Sequence, residues 1–247
     1  MAKTKIKYSS KLKITGFLFV LPVLIYFGIF HFFPIFIAFF NSLFKYDLFK
    51  PREFLGFGNY EFIFSNPDFL NSLKVTLLYT AGTCFLIWAV SFGLALLLND
   101  KFPLMKFYRY IFFMPLIISM VVISLIWKIM FEPQGFVNWI LNTTKIEWLT
   151  NTNLAIWVVI FLSVWKWSGF YIILFLSGLN SIPAEYYEAA KIDGANPRGL
   201  FRFMTLPLLK PTWVFVIVIS IISSVKTFDP MYLVTKEGQL IQQKYFP

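Results

Sequence analysis

Along this chain polar residues act as punctuation between long apolar runs. About 30 Å of hydrocarbon, crossed by a helix rising about 1.5 Å per residue, demands roughly 20 apolar residues. Four runs meet that length: Ile14–Phe40, Val75–Leu98, Tyr110–Phe131 with Pro115 near its start, and Leu154–Leu179 interrupted by Lys166 and Gly169. A fifth, Thr212–Ser224, is shorter and is expected to continue through Phe228 towards Val234. The pattern predicts an all-α polytopic membrane protein with about five transmembrane helices. The first run follows a basic start (Lys3, Lys5, Lys7, Lys11, Lys13) but is too long for the apolar core of a signal peptide. No small-residue cleavage site follows it, so it is read as a retained anchor. No internal repeat of the kind many secondary carriers carry is visible.

Composition narrows the solvent. Apolar residues make up 58% of the 247, aromatics 21% with 32 Phe, and charged residues only 14%. A soluble domain carries about 25% charge, so the polar surface here is too small to cover a globule in water. The mean hydropathy of +0.70 agrees. Disorder, a disulfide-rich secreted module and a cytosolic enzyme are excluded. The net charge of +10 would suggest nucleic acid in a soluble protein, but its placement says otherwise. One set of alternate connections receives twelve basic residues, the other five, with three more after Ser224. The richer side is expected in the cytoplasm, which puts the N-terminus inside a multi-pass plasma (inner) membrane protein. Five spans then leave the C-terminus outside. With one cysteine, Cys84, and one histidine, His31, no disulfide within the chain and no Cys/His metal cluster is available, and no cofactor is implied.

The inside loop from Ser181 to Pro211 is the most informative polar segment. Pro183 suits the first turn of a helix, Ala184–Ile192 contains good helix formers, and Gly194 can take the left-handed conformation that ends them. Asn196 is a cap for a second helix with Pro197 at its first position, and Pro207 and Pro211 are expected to stop it. A two-helix element lying on the cytoplasmic surface suits a docking partner, or a loop resting on lipid headgroups. The run Glu188-Ala189-Ala190, three residues, Gly194, nine residues, Met204, Thr205, Leu206-Pro207 resembles the E-A-A-x3-G-x9-I-x-L-P loop of binding-protein-dependent ABC transporter permeases. Met204 stands where the pattern prefers Ile. Asp193-Gly194-Ala195, Leu179–Pro183, Phe54–Tyr60, Pro22, Trp127 with Gly135 and Asn138, Val164–Trp167 and Phe228–Thr235 are similar to the sugar-permease branch, the maltose and glycerol-3-phosphate type.

The resemblance implies a type I ABC importer permease-like fold. Residues 1–70 would hold the tail, first transmembrane helix and external segment, and 71–247 the permease transmembrane domain. It implies that Glu188, Ala189, Ala190, Asp193, Gly194, Leu206 and Pro207 couple to a cytoplasmic ATPase subunit. Glu188 would offer a carboxylate, the alanines close approach, and Gly194 the bend. Further implied partners are a second permease subunit, an extracytoplasmic solute-binding protein, a carbohydrate substrate and membrane lipid, without nucleic acid. ATP hydrolysis would belong to the separate subunit, and this chain has no Gly-x4-Gly-Lys-Ser/Thr loop. The branch usually has six spans; here Lys236-Glu-Gly238 replaces the Gly-rich turn after Leu-Thr and no sixth span follows, so the expectation is a truncated chain or a member that manages with five.

Remaining residues leave alternatives open. Lys166, flanked by Trp165 and Trp167, either faces a substrate path where the indoles stack on a sugar ring, or sits at a wet helix interface. Lys128 snorkels from the end of its span. His31 lacks carboxylate partners for a proton relay and is expected to be a hydrogen-bonded structural residue, and Cys84 a small buried one. The rival functions are a secondary carrier, which lacks here its usual intramembrane acids and repeats, an intramembrane enzyme, for which nucleophile–base pairs are scarce, and a non-transporting membrane scaffold.

Overall fold

The computed structural model describes residues 10–45, 53–99, 105–143, 146–227 and 229–234. Lys3, Lys5, Lys7, Phe228 and the segment from Thr235 onward, with the turn at Lys236, lie outside them. The chain divides into two units, Met1–Leu70 and Asn71–Pro247.

In the first unit the apolar run forms a 30-residue helix from Lys13 to Ser42. It lies within the continuous run of α1 (Ser10–Phe27), a wide π turn (Gly28–Phe32) and α2 (Phe33–Ser42). Pro34 has no N–H and its ring crowds the carbonyl a turn earlier; the wider turn absorbs that clash, so the helix continues where a proline would otherwise break it. His31 lies in this turn, exposed, its ring 4.8 Å from that of Phe27 and 6.1 Å from that of Tyr26. Ring packing, rather than the expected hydrogen bond, holds it among the described residues. After α2 a short antiparallel pair, β1 (Phe44–Lys45) with β2 (Glu53–Phe54), leads into α3 (Gly58–Ser65). Asn59 Nδ2 donates to Ser42 O (2.8 Å) and Phe44 O (2.9 Å), and Ser42 and Tyr60 share a hydroxyl bond of 2.7 Å. Gly56 turns the chain at φ +57°. The Phe54–Tyr60 motif is thus a clasp that closes the end of the helix.

The second unit is built on α4 (Pro67–Asn99) and α8 (Thr152–Asn180). Two thirds of the most apolar stretch of α8 is buried, against one third in α4, so α8 is the central helix. It runs without interruption past Lys166 and Gly169. Ile156, Val159, Leu162 and Phe175 of α8 meet Tyr79, Ile87 and Ala95 of α4 in one core, joined by Ile123, Val216 and Val234.

The third apolar run departs from expectation. It forms α5 (Met105–Ile117) and α6 (Met120–Met130), and the helical stretches Tyr110–Ile117 and Met120–Met130 are bent by 104° at the intervening residues. Pro115 withdraws one helical N–H, and Ser119 is extended at φ −56° and ψ 142°. Beyond α6, the short α7 (Phe136–Ile140) is fastened by Asn138. The loop after α8 carries α9 (Ala184–Ile192) and α10 (Pro197–Leu200), then a π turn (Phe201–Thr205) and α11 (Leu206–Leu208). The π turn carries the helix through Pro207, and it ends at Leu208, between Pro207 and Pro211 as expected; the chain bends by 60° at Leu209 and enters α12 (Lys210–Val225). That last span ends at Val225, and α13 (Asp229–Val234) is a separate short helix. Among the described residues three helices are long and apolar enough to cross a membrane, up to five if each bent pair is one span.

Candidate functional site

The residues of the loop motif separate into an outer face and a hinge. On α9, Glu185, Glu188, Ala189 and Ile192 are exposed, while Tyr187 and Ala190 on the opposite side are half-buried. These are the two faces that a period of 3.6 residues produces. Asp193 closes the helix, its N–H donating to Ala189 O, and the N–H of Gly194 donates to Lys191 O at φ +83°. No atom lies within 4 Å of where a Cβ on Gly194 would sit, so the requirement there is conformational and not steric. Asn196 then caps α10, its side chain accepting the N–H of Gly199 at 2.7 Å.

A side-chain bond ties α9 to the π turn that leads into α11. The Tyr187 hydroxyl meets Thr205 Oγ1 at 3.0 Å, and Thr205 in turn reaches Leu200 O at 3.3 Å. Leu206 and Pro207 are not brought onto the outer face of α9; they follow Thr205 on α11, one half-buried and the other exposed. Tyr187 and Thr205 were not anticipated, since each is an ordinary residue until the fold pairs them. At the next junction a Cβ on Gly178 would lie 2.3 Å from Thr212 Oγ1, so α8 and α12 approach closely. Large apolar side chains stay uncovered around the element, with Ile192 86% and Phe203 75% exposed.

The residues singled out in the fourth span are placed differently from one another. Trp165 and Trp167 are each part-exposed, and Trp165 packs edge-on against Trp127 with centroids 5.4 Å apart. Lys166 is 3% exposed and directs its ammonium at the α5–α6 break, donating to Pro115 O at 3.3 Å and to Ile118 O. An apolar pocket of about 340 Å³ adjoins the break, lined by residues that include Phe112, Pro115, Trp165 and Ser168.

Polar side chains also form a buried seam among α4, α6, α8 and α12. Tyr79 OH donates to Ser163 Oγ (2.8 Å), Trp88 Nε1 to Ser220 Oγ (2.9 Å), and Cys84 Sγ lies 3.6 Å from Ser224 Oγ. The side-chain polar atoms of Asn71, Thr80, Thr83 and Ser124 are buried with no protein partner among the described residues. The helical spacing of Thr80, Thr83 and Ile87–Ser91 within an apolar run was the available signal for this seam. Beyond α6, Asn138 Nδ2 donates to Pro133 O (3.0 Å) and Ile146 O (2.8 Å), while its Oδ1 accepts from Trp148 Nε1 (2.7 Å).

Comparison with known proteins extends the motif to the chain. The family model described as "Binding-protein-dependent transport system inner membrane component" matches residues 86–245. The probable ABC transporter permease protein YesP of Bacillus subtilis is 34% identical over 99% of this chain and 82% of its own length. The arabinooligosaccharides transport system permease protein AraP of the same organism is 35% identical over 90% and 72%. The sn-glycerol-3-phosphate transport system permease protein UgpA of Agrobacterium fabrum is 36% identical over 92% and 79%. Among solved structures, a chain of a bacterial ABC transporter involved in the import of the acidic polysaccharide alginate shares the fold. Its TM-score is 0.78 at 24% identity, over 94% of this chain and 81% of that one.

Proposed function

This chain belongs to the family of binding-protein-dependent transport system inner membrane components, and on that premise we propose that it is the permease subunit of an ATP-driven importer of a carbohydrate. The sugar class is taken from relatives named for arabinooligosaccharides, trehalose/maltose and lactose. The observation that carries the mechanism is the pairing of an exposed α9 face with a clasp to the π turn that leads towards α12.

In this reading a cytoplasmic ATPase subunit receives the outer face of α9. Glu188 supplies a carboxylate, and Ala189 and Ala190 keep the helix thin enough for close approach. Asp193 and Gly194 set the bend. When ATP draws the two ATPase subunits together, the displacement of α9 passes through Tyr187 and Thr205 to Leu206–Pro207 and on through Leu209 into α12. The close contact of Gly178 with Thr212 makes α8 follow. The helices then turn their path outward, towards a solute delivered by an extracytoplasmic binding protein. A second permease subunit completes the path. Trp165 and Trp167 are the proposed sugar-facing residues, because a part-exposed indole offers a flat apolar face to a pyranose ring. The N-terminus and α9 lie on the cytoplasmic side, consistent with the excess of basic residues there. Residues 1–70 form the anchor and external segment, and 71–247 the permease domain.

The test is capture of the co-expressed ATPase subunit by the intact chain and by Gly194→Pro. Proline holds φ near about −65° and has no N–H, so it can satisfy neither the +83° turn nor the bond to Lys191 O. Capture by the intact chain and loss in the variant is expected. Equal capture by both would remove the loop from the coupling role.

A further inference from the structure

The break between α5 and α6 is held from across the unit by one face of α8. Lys166 and Gly169 lie three residues apart, on the same side of that helix. At Gly169 the backbone of α5 comes so near that a Cβ would stand 2.1 Å from Phe112 O and 2.9 Å from Phe112 C. Ser91 Oγ of α4 donates to Ser168 O at 3.2 Å, tying α8 to α4 beside that contact. One turn beyond the Gly169 contact, Lys166 reaches the two carbonyls the break sets free, Pro115 O and Ile118 O. Its ammonium also lies 5.5 Å from the centroid of the Trp167 ring.

Carbonyls released inside a membrane span are unfavourable unless they find a partner, and so is a lysine charge at that depth. Here each satisfies the other, and no carboxylate among the described residues pairs with the lysine. The end of α5 is also the negative end of a helix dipole, where a cation is favoured. We propose that Lys166 is the positioning residue of the broken span: its ammonium takes the place that a bound cation takes among freed carbonyls in other discontinuous helices, and so fixes α6 at its angle to α5. The consequence reaches the far end of α6. Trp127 stacks there on Phe131, Phe131 meets Trp148, and Trp148 donates to Asn138. The angle that Lys166 sets therefore aims the aromatic layer on which the α7 loop is fastened. The charge of Lys166 is used inside the subunit and is not presented to solute.

The experiment reads the angle itself. Spin labels at positions 110 and 129, both exposed in the native chain (Tyr110 72%, Ile129 65%), span the break in a Cys84→Ser background. With a 104° bend the two backbone sites lie about 18 Å apart, against about 28 Å along an unbroken helix. In lipid nanodiscs the native lysine and Lys166→Arg are expected to give the short distance, and Lys166→Met a distribution moved towards the long one. An unchanged distance in Lys166→Met overturns the proposal. Should that variant fail to accumulate, the native protein decides. Reductive methylation with formaldehyde is expected to modify exposed Lys191 and Lys210 and to spare Lys166. Methylation of Lys166 alongside them overturns the proposal equally.

Discussion

Replacing Gly169 with alanine tests whether the close approach of α5 to α8 is real. The new methyl would lie 2.1 Å from Phe112 O, where ordinary contact begins near 3.4 Å, so α5 must retreat by about 1.3 Å. The obstacle is backbone in a helix, so no side chain can rotate out of the way. Overpacking of this kind costs about 1–3 kcal/mol, and alanine returns up to about 1 kcal/mol as a better helix former than glycine. With the opposing atom immovable the upper part of that range applies, leaving a net loss of about 2 kcal/mol, or roughly 30-fold in the ratio of folded to unfolded protein. For a chain of this size that lowers the melting temperature by about 4–8 °C. Gly93 supplies the control, since nothing lies within 4 Å of its Cβ position on α4 and only the helix-forming gain remains. The assay is thermal unfolding of both variants in lipid nanodiscs, followed by tryptophan fluorescence. If Gly169→Ala melts with Gly93→Ala, the helices do not touch there and the packing described around the break is wrong.

Two further changes address the outer loop and the clasp. Asn138→Leu strands Pro133 O, Ile146 O and Trp148 Nε1, and is expected to destabilise the loop by about 2–4 kcal/mol, seen as faster proteolytic nicking between Ile140 and Asn151; nicking at the native rate would refute the three-way bond. Tyr187→Phe removes one hydroxyl pair, about 0.5–1.5 kcal/mol, so the protein should fold and still capture the ATPase while solute uptake falls relative to ATP hydrolysed. Uptake per ATP at the native ratio would show that motion reaches α12 by another route.

How much of this was legible beforehand depends on what each feature needs. The continuous helices required only length and apolarity: α8 emerged near its expected bounds and α4 near its expected end, though α4 starts eight residues earlier, at Pro67, where the polar residues hid its first turns. The two-helix loop was legible because glycine, asparagine and proline act locally: Gly194 and Asn196 need no distant partner. The 104° break was not, because Met114 to Val122 is apolar nearly throughout and hydropathy carries no direction. Lys166 invited a path-facing reading since its partners, the carbonyls of Pro115 and Ile118, are backbone atoms about fifty residues away. The π turn that carries the helix through Pro207 was hidden for a related reason, as it forms from Phe201–Thr205, residues with no local signature for one.

The helix from Lys13 to Ser42 has no buried side chain anywhere along its apolar length. Selection acting through its own unit alone can therefore hold little there beyond length and oiliness, so substitutions among Phe, Leu, Ile and Val should drift almost freely from one lineage to the next. Along α8, where most of the surface is enclosed, drift should be slow. Any side of the first helix that nevertheless evolves slowly would be held by something outside its own unit, and its outline in an alignment would be the footprint of that neighbour.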